Sequence, residues 1–120
     1  MAPGSDDPRA IFDAAAFERQ TGGDAALRSE IIQMFLEDCP VRVAEVRAAV
    51  DAGNAAALVA SAHALKGSAA YLCASLVRAR AADLERLGRD NNLTDARAAL
   101  ASLDAAVAQL LPELTHVHGQ

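Results

Sequence analysis

The sequence predicts an all-α protein, an antiparallel up-and-down four-helix bundle preceded by one short extra helix, on three observations. Of the 120 residues 30 are alanine and 14 leucine, against 4 aromatics and 4 prolines, and alanine and leucine lose least on entering a helix. Along four long segments the apolar residues recur at steps of three and four, the period of one helical face. Only short turns separate those segments, so successive helices must double back on one another. A chain of this length fits one domain with one core.

Residues 1–10, with Pro3, Gly4, Ser5, Asp6, Asp7 and Pro8, have the composition of a disordered leader; the bundle is expected over 11–115. Asp13 is placed to cap a short helix through Gln20, anchored by Phe12 and Phe17 and broken by Thr21-Gly22-Gly23. Asp24 caps the next helix, with Leu27, Ile31, Met34 and Phe35 on one face, continued by Val43, Val46 and Val50. Pro40 removes an amide and crowds the preceding turn, so Asp24 to Ala52 is either one helix kinked near Asp38 or two abutting helices.

Gly53 then serves as a left-handed terminator and Asn54 as the cap of a third segment to about Tyr71, with a core stripe of Leu58, Ala62, Leu65, Ala69 and Leu72. Ser75 is expected to cap a helix to about Asp90 with Val77, Ala81, Leu84 and Leu87 inward, followed by the polar turn Arg89-Asp90-Asn91-Asn92. Thr94 is expected to cap the last helix, whose seam is Leu93, Ala96, Leu100, Leu103, Val107, Leu110 and Leu114. Beyond Pro112 fraying is expected, leaving 116–120 as a frayed tail.

The formal charge of −5 repels phosphate backbones and anionic headgroups, which argues against nucleic acid and membrane surfaces as partners. No apolar run approaches the roughly 20 residues of a membrane span, and the N-terminus lacks the basic and apolar regions of a signal peptide, so a cytoplasmic protein is expected. Met1 and the short leader read as those of a stand-alone protein. Cys39 and Cys73 are far apart, without zinc-ligand spacing, and read as small buried hydrophobes. His116 and His118 stand at i, i+2, which do not share a helical face, and no Glu-x-x-His pair points inward, so neither a metal nor another cofactor is expected.

The window Ala62-His63-Ala64-Leu65-Lys66-Gly67-Ser68-Ala69 departs from what a plain structural helix needs. At about 100° per residue, positions 63, 66 and 67 share one patch, turned away from the Leu58, Ala62, Leu65, Ala69 stripe. Lys66 is the only lysine among eleven basic residues, ten of them arginine. Gly67 costs about 1 kcal/mol against alanine in a helix interior; it either admits a bulky neighbour such as Phe35 or Tyr71 or lets another protein come close. His63 is the one histidine outside the tail. It is either solvent-facing decoration or a nucleophile, since a neutral imidazole nitrogen is available at cellular pH.

The run His63-Ala64-Leu65-Lys66-Gly67-Ser68 resembles the His-x-Leu-Lys-Gly-Ser signature of histidine-containing phosphotransfer (HPt) domains of two-component phosphorelays. Similarity continues in Phe12-Asp13, in Gly22-Gly23-Asp24, in Phe35-Leu36-Glu37-Asp38 with Pro40, and in Gly53-Asn54. The resemblance implies that His63 is phosphorylated through Nε2 by the aspartyl phosphate of one receiver domain, such as that of a hybrid histidine kinase. The phosphoryl group then passes to the aspartate of another response regulator. It implies that Lys66 offsets phosphoryl charge, that Gly67 lets receiver loops close over the ring, and that Glu85, twenty-two positions on, accepts a hydrogen bond from Nδ1. Arg89, one turn further, is placed to face the phosphoryl group, with a solvated helix face as the other reading of both Glu85 and Arg89. Ser68 lies round the helix and is assigned a local hydrogen bond.

No Gly-rich phosphate loop or kinase motif is present in the sequence, so the donor is expected to be another protein and the chain to have no ATP-dependent kinase activity of its own. The docking frame is expected to include Gln33 and Glu37 beside Ala60, Ala64 and Ala70, on a monomer. The competing reading is a non-catalytic helical adaptor that docks receivers without passing phosphate.

Overall fold

In the computed structural model, residues 11–118 are described; the expected leader, 1–10, lies outside them. Five helices and no strands are found among these residues: α1 (Ala14–Gln20), α2 (Ala25–Ala52), α3 (Ala55–Tyr71), α4 (Ser75–Arg89) and α5 (Leu93–His118). The all-α expectation holds. In the four-helix body, α2 packs against α3 and α5, and α4 against the same two, so consecutive helices are neighbours and must run antiparallel.

Local chemistry sets the helix starts. Asp13 Oδ1 accepts from Ala16 N at 2.9 Å, Asp24 Oδ1 from Leu27 N at 3.1 Å and Asn54 Oδ1 from Ala57 N at 3.0 Å, each satisfying an amide of the first turn. Two expected caps shift. Ser75 is the first residue of α4, and the cap position is Ala74, which has no side-chain acceptor. Asn92, not Thr94, caps α5, accepting from Asp95 N at 3.2 Å. In both cases the preceding turn is one to two residues shorter than its composition suggests.

The ends share one device. In four connections an amide bonds back five residues to a carbonyl: Gly23 to Glu18, Asn54 to Ala49, Ala74 to Ala69 and Asn92 to Leu87. The preceding residue in each is left-handed, namely Gly22, Gly53, Cys73 and Asn91, with φ of 65°, 67°, 62° and 55°. This is the Schellman termination, and Cys73 occupies a position that favours glycine. The Cys73 carbonyl accepts from Asp13 N, tying α1 to the α3–α4 turn.

Helix α2 is continuous through Pro40, and α5 is continuous through Pro112 to His118; residues 119–120 of the expected frayed tail lie outside the described residues. Both prolines are exposed, so the carbonyl each leaves unbonded lies on the solvent side of its helix, where water can satisfy it.

The expected stripes of α3 and α5 are inside, except that Leu93 and Val107 are half-buried and Ala106, outside the expected seam, is buried. On α4, Leu87 is only half-buried. Helix α2 differs more: Met34 and Leu27 are exposed, while Ile32, Phe35, Cys39, Val46 and Val50 are buried. Because α2 serves α3 and α5 together, its buried face is wide and turned toward Ile32, and Met34 falls about a quarter turn outside it. Cys39 is the buried hydrophobe expected, whereas Cys73 is only half-buried, in its turn.

Small residues set how close α3 and α4 come. Ala62, Ala69, Ala74 and Ala81 are fully buried. A Cβ on Gly88 would lie 2.8 Å from Val59 Cγ2 and 3.2 Å from the Ala55 carbonyl oxygen and Val59 N, so α4 rests on the α3 backbone there. Gly88→Ala should therefore destabilise the protein by about 1–3 kcal/mol through overpacking, against the usual helix-propensity gain, as a lower urea midpoint at unchanged m-value.

Candidate functional site

With Gly88 seated against Val59, the antiparallel register carries Glu85, one turn earlier on α4, opposite His63, one turn later on α3. The His63 side chain is 67 % exposed, whereas that of Glu85 is 2 % exposed. Their contact, Nδ1 to Oε2, is 2.9 Å. Lys66 Nζ reaches the other carboxylate oxygen, Oε1, at 2.6 Å, and Arg89, one turn along α4, brings an Nη2 to Oε2 at 2.5 Å. One buried carboxylate thus holds three basic side chains.

The hydrogen bond from Lys66 lowers the Glu85 pKa most, burial opposes it, and the hydrogen bond from His63 and the charges of Lys66 and Arg89 lower it further. The net effect is a carboxyl below its ordinary range, ionised at neutral pH. An ionised carboxylate has only acceptors, so the 2.9 Å contact requires the proton on Nδ1. The neutral ring then carries its lone pair on Nε2, the nitrogen turned away from Glu85.

Lys66 and Arg89, expected to face an incoming phosphoryl group, are both turned to Glu85 in this structure. That one acid gathers all three does not follow from spacing along the chain, although an acidic residue one turn before an arginine on α4 is the available signal. Gly67 is exposed, and a Cβ there would meet nothing within 4 Å. Room for Phe35 or Tyr71 is therefore not its purpose. Gly88 was also missed, though a second mid-helix glycine in an alanine-rich chain carries the same cost as Gly67.

Ser68 Oγ donates to the Ala64 carbonyl oxygen at 3.2 Å, the local bond expected of it. Around the histidine, Ala60 and Ala70 are exposed and Ala64 is half-buried. Gln33 Nε2 donates to Glu37 Oε2 at 2.6 Å on α2. Tyr71 and Met34 are exposed, flanking a small apolar groove between α2 and α3 floored by Ile31, Phe35 and Leu72. Among the described residues no group of three His, Cys, Asp or Glu could hold a metal ion, and no helix is long and apolar enough to cross a membrane.

The family model of the Hpt domain matches residues 30–113, which span α3, α4 and most of α2 and α5. The chain belongs to the Hpt domain family. This Hpt domain is also similar in fold to the crystal structure of histidine-containing phosphotransfer protein B (HptB) from Pseudomonas aeruginosa PAO1. The TM-score is 0.86 at 22 % identity, over 92 % of this chain and 96 % of that one. Among curated proteins nothing matches. Membership carries a phosphotransfer role in two-component signalling, and Hpt proteins in general interact with receiver domains of response regulators and kinases.

The depressed Glu85 pKa has a consequence for stability. The native carboxylate binds a proton less readily than the unfolded one, so its contribution is complete above the ordinary glutamate value of about 4.3 and disappears as pH falls through the lower native value. Glu85→Gln should cost about 1–2 kcal/mol at pH 7, a figure that allows for the exposure of His63 and Arg89. The gap between variant and wild type, followed by urea unfolding from pH 7 to pH 2, should close only below about pH 4.

Proposed function

We propose that this Hpt domain is a phosphorelay intermediate: His63 takes a phosphoryl group from the aspartyl phosphate of one receiver domain and gives it to the aspartate of another. The observation that carries the proposal is the bond between His63 Nδ1 and the buried Glu85, made by a ring otherwise in solvent. It fixes the tautomer that leaves Nε2 nucleophilic and spares the ring the search for it.

In the accepting step, the Nε2 lone pair forms the new bond to phosphorus as the bond from phosphorus to the aspartyl oxygen breaks, and that electron pair leaves with the carboxylate. The ring gains positive charge, which the Glu85 carboxylate offsets. Lys66, one turn along and 31 % exposed, has the reach to follow the phosphoryl oxygens, and Arg89 stands beside it; each contact at so exposed a site contributes about 1 kcal/mol. Open space over Gly67 lets the backbone of a receiver loop lie flat beside the imidazole. Donor and acceptor are proteins, the Hpt domain has no ATP-dependent kinase activity of its own, and it acts as a cytoplasmic monomer that binds neither nucleic acid nor membrane.

His63→Gln should abolish acid-labile, base-stable labelling by a phosphorylated receiver while leaving helicity unchanged; retained labelling would reject the role of His63. Label absent from wild type with every receiver tested, despite docking, would identify an adaptor instead. Gly67→Ala separates docking from folding: stability should rise by about 0.5–1 kcal/mol, while transfer slows on the order of tenfold or more as the receiver is held off the ring.

A further inference from the structure

His63 lies on α3 between two edges of opposite sign. Arg78, Ala82, Glu85 and Arg89 are spaced four, three and four apart, so they form one line along α4, and Lys66 leans onto that line from α3. Lys66 and Arg89 share the single charge of Glu85. Arg78 is exposed and, among the described residues, paired with no acid, so this edge keeps a positive surplus. Met34, Asp38, Val41 and Glu45 repeat the spacing along α2. Asp38 lies in the groove against Ser68 and Tyr71, and Glu45 in the groove against Ala60 and Ala64. Arg42 is 3.5 Å from each of these acids, while Glu37 beside them is engaged with the neutral Gln33. Three acids there face one arginine, a negative surplus.

We propose that this polarity selects and orients the receiver. The domain seats a receiver whose rim carries acidic side chains over α4 and basic ones over α2, and Arg78 is the specificity-determining residue that pairs with the acidic side. This rests on the phosphorelay reading above and deepens it by naming the chemistry of the partner's rim. Arg78 takes no part in the transfer itself; it acts on how the receiver arrives.

Position suits Arg78 to this task. Seven residues put it about 10 Å along α4 from Glu85, too far to serve the ring and near enough to meet a domain seated over it. Counted out from Ala74, it is level with Ala70 on α3, and Asp38 lies across α3 at the level of Ser68 and Tyr71. Base and acid thus straddle one turn of α3 just past Gly67, where the site is most open. A helix with its side chains is about 10 Å across, more than the Debye length of about 8 Å at physiological salt. An approaching domain therefore meets two separate fields rather than their average. A partner rotated by half a turn about His63 meets like charge on both edges, and such rim charges act chiefly on association rate and on the rejection of wrong partners. In a chain of net charge −5, the α4 edge is the local reversal that admits an acidic rim.

The probe is the receiver domain that takes label fastest from wild type among the purified receivers of the source organism. Each Hpt protein is first labelled with phosphoramidate, a small-molecule phosphoryl donor. The second-order rate of transfer to that receiver is then read at about 20 mM and about 500 mM salt. Arg78→Glu should slow transfer about tenfold at low salt and less than about twofold at high salt, with an unchanged urea midpoint; a purely structural role would move the midpoint and not the salt dependence. The double variant Asp38→Arg with Arg78→Glu keeps the wild-type net charge and reverses the polarity, and should be slower than Arg78→Glu alone. A double variant restored to the wild-type rate would show that net charge alone matters and would overturn the proposal, as would an Arg78→Glu rate equal to that of wild type; either result leaves the relay intact. Wild type that takes no label, or passes it to none of the receivers, counts against the relay reading, and the proposal falls with it.

Discussion

The buried carboxylate of Glu85 ties the chemistry of the surface to the packing below it. An ionised acid withdrawn from water is unfavourable unless its oxygens are matched, and here the matching groups come from two helices: His63 and Lys66 from α3, Arg89 from α4 itself. The arrangement makes each partner conditional on the others. Without the two cations, burial would push Glu85 toward its neutral form, and the exposed ring would lose the acceptor that orients it. A surface histidine that would otherwise sample many orientations is held by an atom belonging to the interior.

That atom is where it is because α4 lies close on α3. Alanines on the shared face and the bare Gly88 beneath Val59 remove the side-chain thickness that normally separates two helices, so a glutamate, with its short reach, spans the gap. The two mid-helix glycines thus work in opposite directions. Gly88 faces inward and closes a gap within the protein; Gly67 faces outward over empty space and leaves a gap for something else to close.

Most of the architecture was legible because it follows from periodicity and from caps that act within three residues. The stripes of α3 and α5, and the caps Asp13, Asp24 and Asn54, needed no tertiary information. Where reading and structure part, a long-range term decides. Met34 and Leu27 fit an apolar stripe, but the position of α5 rotates the buried face of α2 away from them. Ser75 and Thr94 have capping side chains, yet the preceding turns close early enough to draw both into their helices. In the site, His63, Lys66 and Gly67 stood out through their rarity, and the resemblance supplied Glu85. That Lys66 and Arg89 both turn to that acid is a property of side-chain reach across a helix pair, which spacing along one chain does not encode.

The turn between α3 and α4 spends no residue on slack. Cys73 is its left-handed element, and Ala74 at once closes the end of one helix, its amide bonding back to the Ala69 carbonyl, and stands at the cap position of the next. The arm running from His63 to Cys73 has the same length as the arm returning from Ser75 to Glu85. Nucleophile and acid are consequently level across a hairpin with equal arms, like opposite marks on a folded ruler. Outward-facing side chains along either arm are free to drift without separating the two, whereas the small buried ones are not, and an insertion or deletion in one arm demands its counterpart in the other.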